Sequence, residues 1–332
     1  MFAKQLPLPT SRPHAYGHLT EEPTFDPRRH LALEPPARSW SLAEFGYSPA
    51  ETAQCLTGVA VAGPFRVLSE AGVAAARSVA LALQQDRQSS NRTASYLAGG
   101  VYRSAFFRDL CNCAELARFL SQVCGCELLP HTMPSQQVYI NYAPEDLGKA
   151  VDTWHTDSIG FDIVLMLSDP AQFTGGQFQF FRGTMAEAAA LLEQRPENLT
   201  GAIARDLPEE RVVSTPFPAA GYAVLQQGSL VVHRATRLQQ RAERITTVIG
   251  YVARNVAAPD PTRDAILGWG EPGVHAEYAR HKAWLARTKL DDLIGQLDIE
   301  ASPAEIKRLL DAAIADARHA IEVLGTIDPG SG

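Results

Sequence analysis

Between Gln136 and Arg254 the chain takes on the rhythm of strands, and this constrains the fold more than any other feature. Eight short runs follow one another: 138–142, the Trp154-His155-Thr156-Asp157 segment, 161–168, 177–181, 212–217, 222–226, 230–234 and 244–254. Gly, Pro and Asp punctuate them, and most gaps carry no helical pattern, so a doubly wound α/β scheme does not fit. The expectation is a mainly β protein of the α+β type. Its core would be a double-stranded β-helix, the jelly-roll or cupin-type double sheet, with helical additions at both ends.

Inside this region lies His155-Thr156-Asp157. A strand alternates its side chains, so on a strand over 154–157 the imidazole and the carboxylate point the same way and form two corners of a metal site. A third corner is present in His233, within Ser229-Leu-Val-Val-His-Arg-Ala-Thr. His-x-Asp alone is common and is usually a hydrogen-bonded pair. Its weight comes from three features downstream of it in the chain: a Gly175-Gly176 turn, the second His, and Arg244-Ile245-Thr246. Two imidazoles and one carboxylate on one face of a metal leave positions open, as oxygen chemistry requires.

This constellation resembles the iron(II)- and 2-oxoglutarate-dependent dioxygenases, especially the branch related to prolyl hydroxylases. The likeness covers residues 136–254. It implies that His155, Asp157 and His233 hold Fe(II), and that 2-oxoglutarate chelates the metal and is oxidised by O2 to succinate and carbon dioxide. Arg244, eleven residues beyond His233, stands where the family places the basic partner of the distal carboxylate. A guanidinium matches a carboxylate with two parallel hydrogen bonds, and Thr246 shares its face. Tyr139 and Asn141 alternate onto one face of the strand before the tripeptide and are secondary candidates for the cosubstrate; a one-residue change of register would substitute Tyr142. Halogenating relatives lack the carboxylate that Asp157 supplies, so the resemblance implies hydroxylation of a small molecule, an amino acid or a specialised metabolite, or a desaturation or cyclisation that begins alike.

The flanks say less about chemistry. Residues 1–45, rich in Pro, His and Arg, read as an extended arm that wraps its own domain or a neighbouring subunit. Residues 46–258 would form the oxygenase domain. In it an apolar run over 53–62 reads as a strand, a helix starts after Ser69 with Gly72 as a weak spot, and a second helix spans 104–123. A helix-favouring insertion over 185–210 is a lid or a surface decoration. Residues 259–332 would be helical, and a stripe including Ile306, Leu310, Ala313 and Ile321 after a Ser302-Pro303 start would serve internal packing or a homodimer.

Composition bounds the partners. Of 332 residues 45% are hydrophobic and 20% charged, an ordinary globular balance, and the formal charge of −7 disfavours nucleic acid. A demethylase of nucleic acids would also need an Arg where Gly250 stands. The first ten residues lack the apolar stretch of a signal peptide, and there is no apolar run of about 18 residues, so a cytoplasmic location away from membranes is expected. Cys111, Cys113, Cys124 and Cys126 flank a helix and read as core thiols, not a zinc site. The remaining histidines have no ligand spacing to the triad. Arg234, Arg237 and Arg241, near the second His, orient an anionic substrate or are solvated. Alternatives are a peptidyl or protein hydroxylase, a non-catalytic cupin-like binding protein, and a zinc hydrolase, which would have no use for Arg244.

Overall fold

The computed structural model describes residues 1–199 and 205–327. Twelve strands occur among them: β1 Ser39–Ser41, β2 Val59–Arg66, β3 Tyr96–Leu97, β4 Leu128–Pro130, β5 Val138–Tyr142, β6 Asp152–His155, β7 Phe161–Met166, β8 Phe178–Phe181, β9 Val212–Thr215, β10 Tyr222–Gln226, β11 His233–Ala235 and β12 Ile245–Ala253. One sheet runs β1-β2-β10-β7-β12-β5-β3, with β4 on the end of β12, and the other runs β6-β11-β8-β9. Every pairing is antiparallel. The last eight strands are those expected from the sequence, and they make the two faces of a jelly roll. The remaining four widen the larger sheet at its edges.

Alternation explains how each strand serves two cores. β7 is buried at all six positions, as befits a central strand covered on both sides. Ile163 and Leu165 face Ala76, Val79, Ala80 and Leu83 of the helix Glu70–Leu83. Val164 and Met166 face the other way, toward Phe178 and Phe180 of the smaller sheet. Each such large apolar side chain removed from water contributes about 1.5–3 kcal/mol. β10 and β12 alternate in the same manner, with Leu225 and Ile249 outward to the helices and Val224 inward to the space between the sheets.

Several boundaries differ from those expected. Ser48 and Glu51 form a capping box that makes Pro49–Thr52 a helical turn, so the apolar run becomes a strand only at Val59 and then continues through Pro64 to Arg66. The helix expected over 104–123 is two, Ala105–Cys111 and Ala114–Cys124. Asn112 separates them, its amide donating to the carbonyl of Arg108 at 2.8 Å and to Gln137 Oε1 at 3.1 Å in competition with the helix ladder. Gly72 is no weak spot, because a Cβ there would lie 2.2 Å from the carbonyl oxygen of His30. Its bareness lets the N-terminal arm lie against the helix.

The arm wraps its own domain. Glu22 caps the helix Ala105–Cys111 through the N–H groups of Ala105 and Phe106 at 2.7 and 3.2 Å, and Tyr16 donates to Glu271 at 2.7 Å. At the other end, the helix Val274–Gln296 docks through Tyr278, Trp284 and Leu285. The stripe beyond Ser302 falls on two helices, Pro303–Ala313 and Ala315–Gly325. The break at Ile314 re-phases the second, so Ala320 is buried and Ile321 is 72% exposed. No described helix is long and apolar enough to cross a membrane.

The docked helix is pinned by a buried polar cluster. His281 Nε2 and Lys282 Nζ meet Asp260 Oδ2 at 2.9 and 2.6 Å, and the His281 ring stacks on that of His131, centroids 5.2 Å apart. Burial, aided by His281, lowers the His131 imidazole from 6.5 to about 3. A native state that refuses a proton the unfolded chain accepts loses stability as pH falls from 6.5 toward 3. Urea unfolding should therefore show this group costing on the order of 2 kcal/mol between pH 7 and pH 5, and His131→Gln should flatten the pH dependence by that amount. Equal slopes in the two proteins would show that His131 is not the group responsible.

Candidate active site

The two sheets open at one end into a cavity of about 470 Å³, and the site residues expected from the sequence all line it: His155, Asp157, His233, Arg244, Thr246, Tyr139 and Asn141. The register of β6 against β11 sets His155 directly opposite His233, their rings 4.1 Å apart. Both imidazoles are held alike. Nδ1 of His155 donates to the carbonyl of Thr153 at 2.7 Å and Nδ1 of His233 to that of Val231 at 2.9 Å, in the tautomer that leaves Nε2 free. Each Nε2 turns to Asp157, whose Oδ1 is 3.5 Å from His155 and whose Oδ2 is 3.4 Å from His233.

Asp157 reaches this position differently from the way alternation suggests. β6 ends at His155, so Asp157 stands two residues past the strand on a connecting segment, its N–H donating to the carbonyl of Gly228 at 2.8 Å. Among the described residues, these three form the one group of His, Cys, Asp or Glu that could hold a metal, with ligand atoms within 4.8 Å of one another.

The charges fit a cation. Burial, with His155 adding, lowers the His233 imidazole to about 4, so it is neutral at physiological pH. Burial pushes the Asp157 carboxyl up, but the adjacent imidazoles outweigh that and hold it well below the usual carboxylate range. Two groups that sequence reasoning overlooked complete the surroundings. Asp162 is fully buried, and burial together with the charge of Asp157 raises it far above the usual range, so it is a neutral acid beside an ionised one. Gln226 Nε2 lies 3.0 Å from Asp162 Oδ1, 3.0 Å from His233 Nε2 and 3.3 Å from Asp157 Oδ2. Asp162 Oδ2 and Gln226 Oε1 are buried without a hydrogen-bond partner. The signal for both was a single polar residue on the inward face of an otherwise apolar strand. The donor set, two imidazoles and an ionised carboxylate with orphaned polar atoms close by, suits a divalent transition metal.

Across the cavity, Arg244 is 1% exposed, and burial lowers its guanidinium to about 10, still a cation. Nε donates to the carbonyl of Gly176 at 2.8 Å and Nη1 to Thr246 Oγ1 at 3.3 Å. This gives the Gly175-Gly176 turn a reason: at φ +62° a Cβ on Gly176 would lie 2.7 Å from Arg244 Cδ. Register pairs Thr246 with Asn141 and Val248 with Tyr139, so Tyr139 and Asn141 look into the cavity, whereas Tyr142 points to the helices and donates to the carbonyl of Ala80 at 2.8 Å. Burial raises the Tyr139 hydroxyl well above its ordinary value.

The mouth is built by segments with no strand pattern. Arg92 meets Asp152 at 3.3 Å and lies 5.5 Å from the Trp269 ring centre, and its Nη1 is buried without a partner. Arg234 also lines the cavity, stacked on Trp154 at 4.4 Å, whereas Arg237 and Arg241 do not. The 185–210 insertion, expected as lid or decoration, packs its helix Met185–Leu191 against Phe181 and Trp154, and its described residues do not line this cavity; residues 200–204 lie outside those described.

The jelly roll, with a two-histidine, one-carboxylate cluster that could hold a metal, defines a cupin-type protein. A family model described as HalD, Halogenase D, matches residues 74–267, and the chain belongs to that family. Among solved structures it is similar to the non-heme alpha ketoglutarate dependent epimerase SnoN from nogalamycin biosynthesis, at 19% identity and TM-score 0.42 over 56% of this chain and 75% of that one. Another structure of SnoN is in complex with Fe3+, alpha ketoglutarate and nogalamycin RO. It is also similar to a prolyl 4-hydroxylase of Phytophthora capsici, at 14% identity and TM-score 0.34 over 76% and 81%, and to EvdO2 of Micromonospora carbonacea var. aurantiaca, at 18% and 0.38 over 62% and 91%. No curated protein matches the chain.

Gly228 supplies a direct test of the cluster. A Cβ there would lie 2.3 Å from Asp157 Oδ2 and 2.4 Å from Asp162 Oδ2. Gly228→Ala should weaken Co(II) binding about tenfold or more in calorimetric titration, the scale of losing a residue that supports a ligand. Undiminished affinity would mean that Asp157 is not a ligand in the position seen.

Proposed function

We propose that this chain is an iron(II)- and 2-oxoglutarate-dependent oxygenase that hydroxylates an unactivated C–H bond of a small molecule. The observation that carries the reading is the convergence, in one cavity, of the His155, Asp157 and His233 face with the buried Arg244 guanidinium. A binding module has no need of this pair of features together.

His155 and His233 would hold the metal through Nε2, and Asp157 through its carboxylate. Bound iron supplies, with 2-oxoglutarate and O2, the oxidising chemistry that removes a hydrogen atom from a substrate carbon and leaves succinate and carbon dioxide. Arg244 and Thr246 would take the distal carboxylate of 2-oxoglutarate, where a charge-assisted pair in a dry site is strong. Tyr139 and Asn141 flank that place with polar atoms. Phe178, Val164 and Val248 keep the cavity floor apolar and exclude water.

A cavity of about 470 Å³ roofed by Arg92 and Trp269 suits a small molecule beside the cosubstrate better than an extended peptide. The unpartnered N–H of Arg92 and the carboxylate of Asp152 offer opposite charges to a polar substrate such as an amino acid. The family takes its name from a halogenase, but halogenating relatives lack the carboxylate that Asp157 supplies. With Asp157 within 3.5 Å of both imidazoles, the place a halide would need is filled, which supports oxygen insertion.

Anaerobic titration with Fe(II) and 2-oxoglutarate should give the visible charge-transfer band of the chelate, and screening free amino acids and small acids by succinate release should find a product that gains one oxygen atom. Asp157→Ala should abolish turnover. Arg244→Ala should cost on the order of 2–4 kcal/mol in cosubstrate binding, a KM for 2-oxoglutarate raised roughly 30-fold or more. A chlorinated product, or turnover independent of 2-oxoglutarate, would overturn the proposal.

A further inference from the structure

The ladder between β6 and β11 fixes the two imidazoles but stops at His155, so it does not fix Asp157. The carboxylate sits on the segment 156–158, past the end of that ladder and beside a second buried carboxyl, Asp162. Contacts from outside that ladder hold the segment in place.

One residue far along the chain contacts this segment on both sides of Asp157. Arg263 Nη1 donates to Thr156 Oγ1 at 2.7 Å, and the main-chain N–H of Arg263 donates to the carbonyl of Ser158 at 2.9 Å. Nη2 donates to the carbonyl of Ser229 at 2.7 Å, beside Gly228, whose own carbonyl accepts the N–H of Asp157. Thr156 is fully buried, so its hydroxyl has been taken from water for this bond. Burial pulls the Arg263 guanidinium down from its ordinary range, and the first charge opposing that pull is Asp157.

We propose that Arg263 is a positioning residue, which holds Asp157 on the metal face by clamping the 156–158 segment to the 228–229 turn. This rests on the assignment of His155, Asp157 and His233 as metal ligands. It gives the metal carboxylate a support that lies outside the two sheets. A residue that only stapled the 258–270 segment would also lower stability when removed, but its loss would weaken metal binding whether or not Asp157 were present.

The test is Co(II) titration of the metal-free protein, read by calorimetry and by the visible absorption of bound Co(II), together with thermal unfolding without metal. Arg263→Met should weaken Co(II) binding about tenfold or more and change the Co(II) spectrum toward that of Asp157→Ala. In the Asp157→Ala background it should add nothing further, because the group it positions is gone. Arg263→Lys should restore part of the affinity. Should Arg263→Met fail to fold, Thr156→Val removes only the hydroxyl end of the same bond and should show the same dependence on Asp157. Wild-type affinity in Arg263→Met or Thr156→Val, or an equal loss with and without Asp157, would overturn the inference. If the wild type binds Co(II) with this dependence yet consumes no 2-oxoglutarate with iron, the oxygenase proposal fails and the role of Arg263 stands. Turnover by the wild type with unaltered Co(II) binding in the variants would give the reverse.

Discussion

The antiparallel register that sets His155 opposite His233 is the constraint on which the site depends. It brings two imidazoles to one point from segments 78 residues apart in sequence, and the carbonyl two residues before each one fixes its tautomer. A slip of one residue along either strand would turn one imidazole to the opposite face of the sheet. Trp154, buried on the opposite face of β6 against Phe181 and Ala188, resists that slip, because the same shift would take it out of that core. Core and site therefore share one register, and the hydrophobic term that closes the jelly roll also assembles the ligands.

Much of this was legible in the alternation of the chain. The eight strand-like runs became eight of the twelve strands of the double sheet; period two put Tyr139 and Asn141 on one face, and the pairing with β12 shows that this face, not that of Tyr142, looks inward. Arg244 and Thr246 fell where their spacing suggested, and the double glycine proved to be shaped by the arginine it meets. Where periodicity ended, legibility ended with it. Asp157 stands past the strand, and Arg92 and Trp269 come from stretches that share no repeating pattern with the sheets. Asn112 broke a helix that looked continuous because its amide competes with the backbone, which apolar spacing does not register.

Electrostatics separates the two sides of the cavity. On one, an ionised Asp157, a neutral His233 and a neutral Asp162 keep the negative charge near one unit among three adjacent titratable groups. On the other, Arg244 retains its charge although buried, stiffened by the carbonyl of Gly176. A dianion lying between a divalent cation and a guanidinium would find both ends matched, and the low dielectric of the buried cavity strengthens each attraction.

The roof of the cavity has its own consequence. Arg92 and Trp269 belong to connecting segments, whereas the imidazoles and Arg244 sit on or beside the sheets. The segment that carries Trp269 is moored by Asp260 to the helix Val274–Gln296, which lies beyond the matched family region 74–267. The cavity thus takes its lining from two kinds of segment, the paired strands and the stretches that connect them. A change confined to those connecting segments would reshape the cavity while leaving the pairing of β6 with β11 as it is.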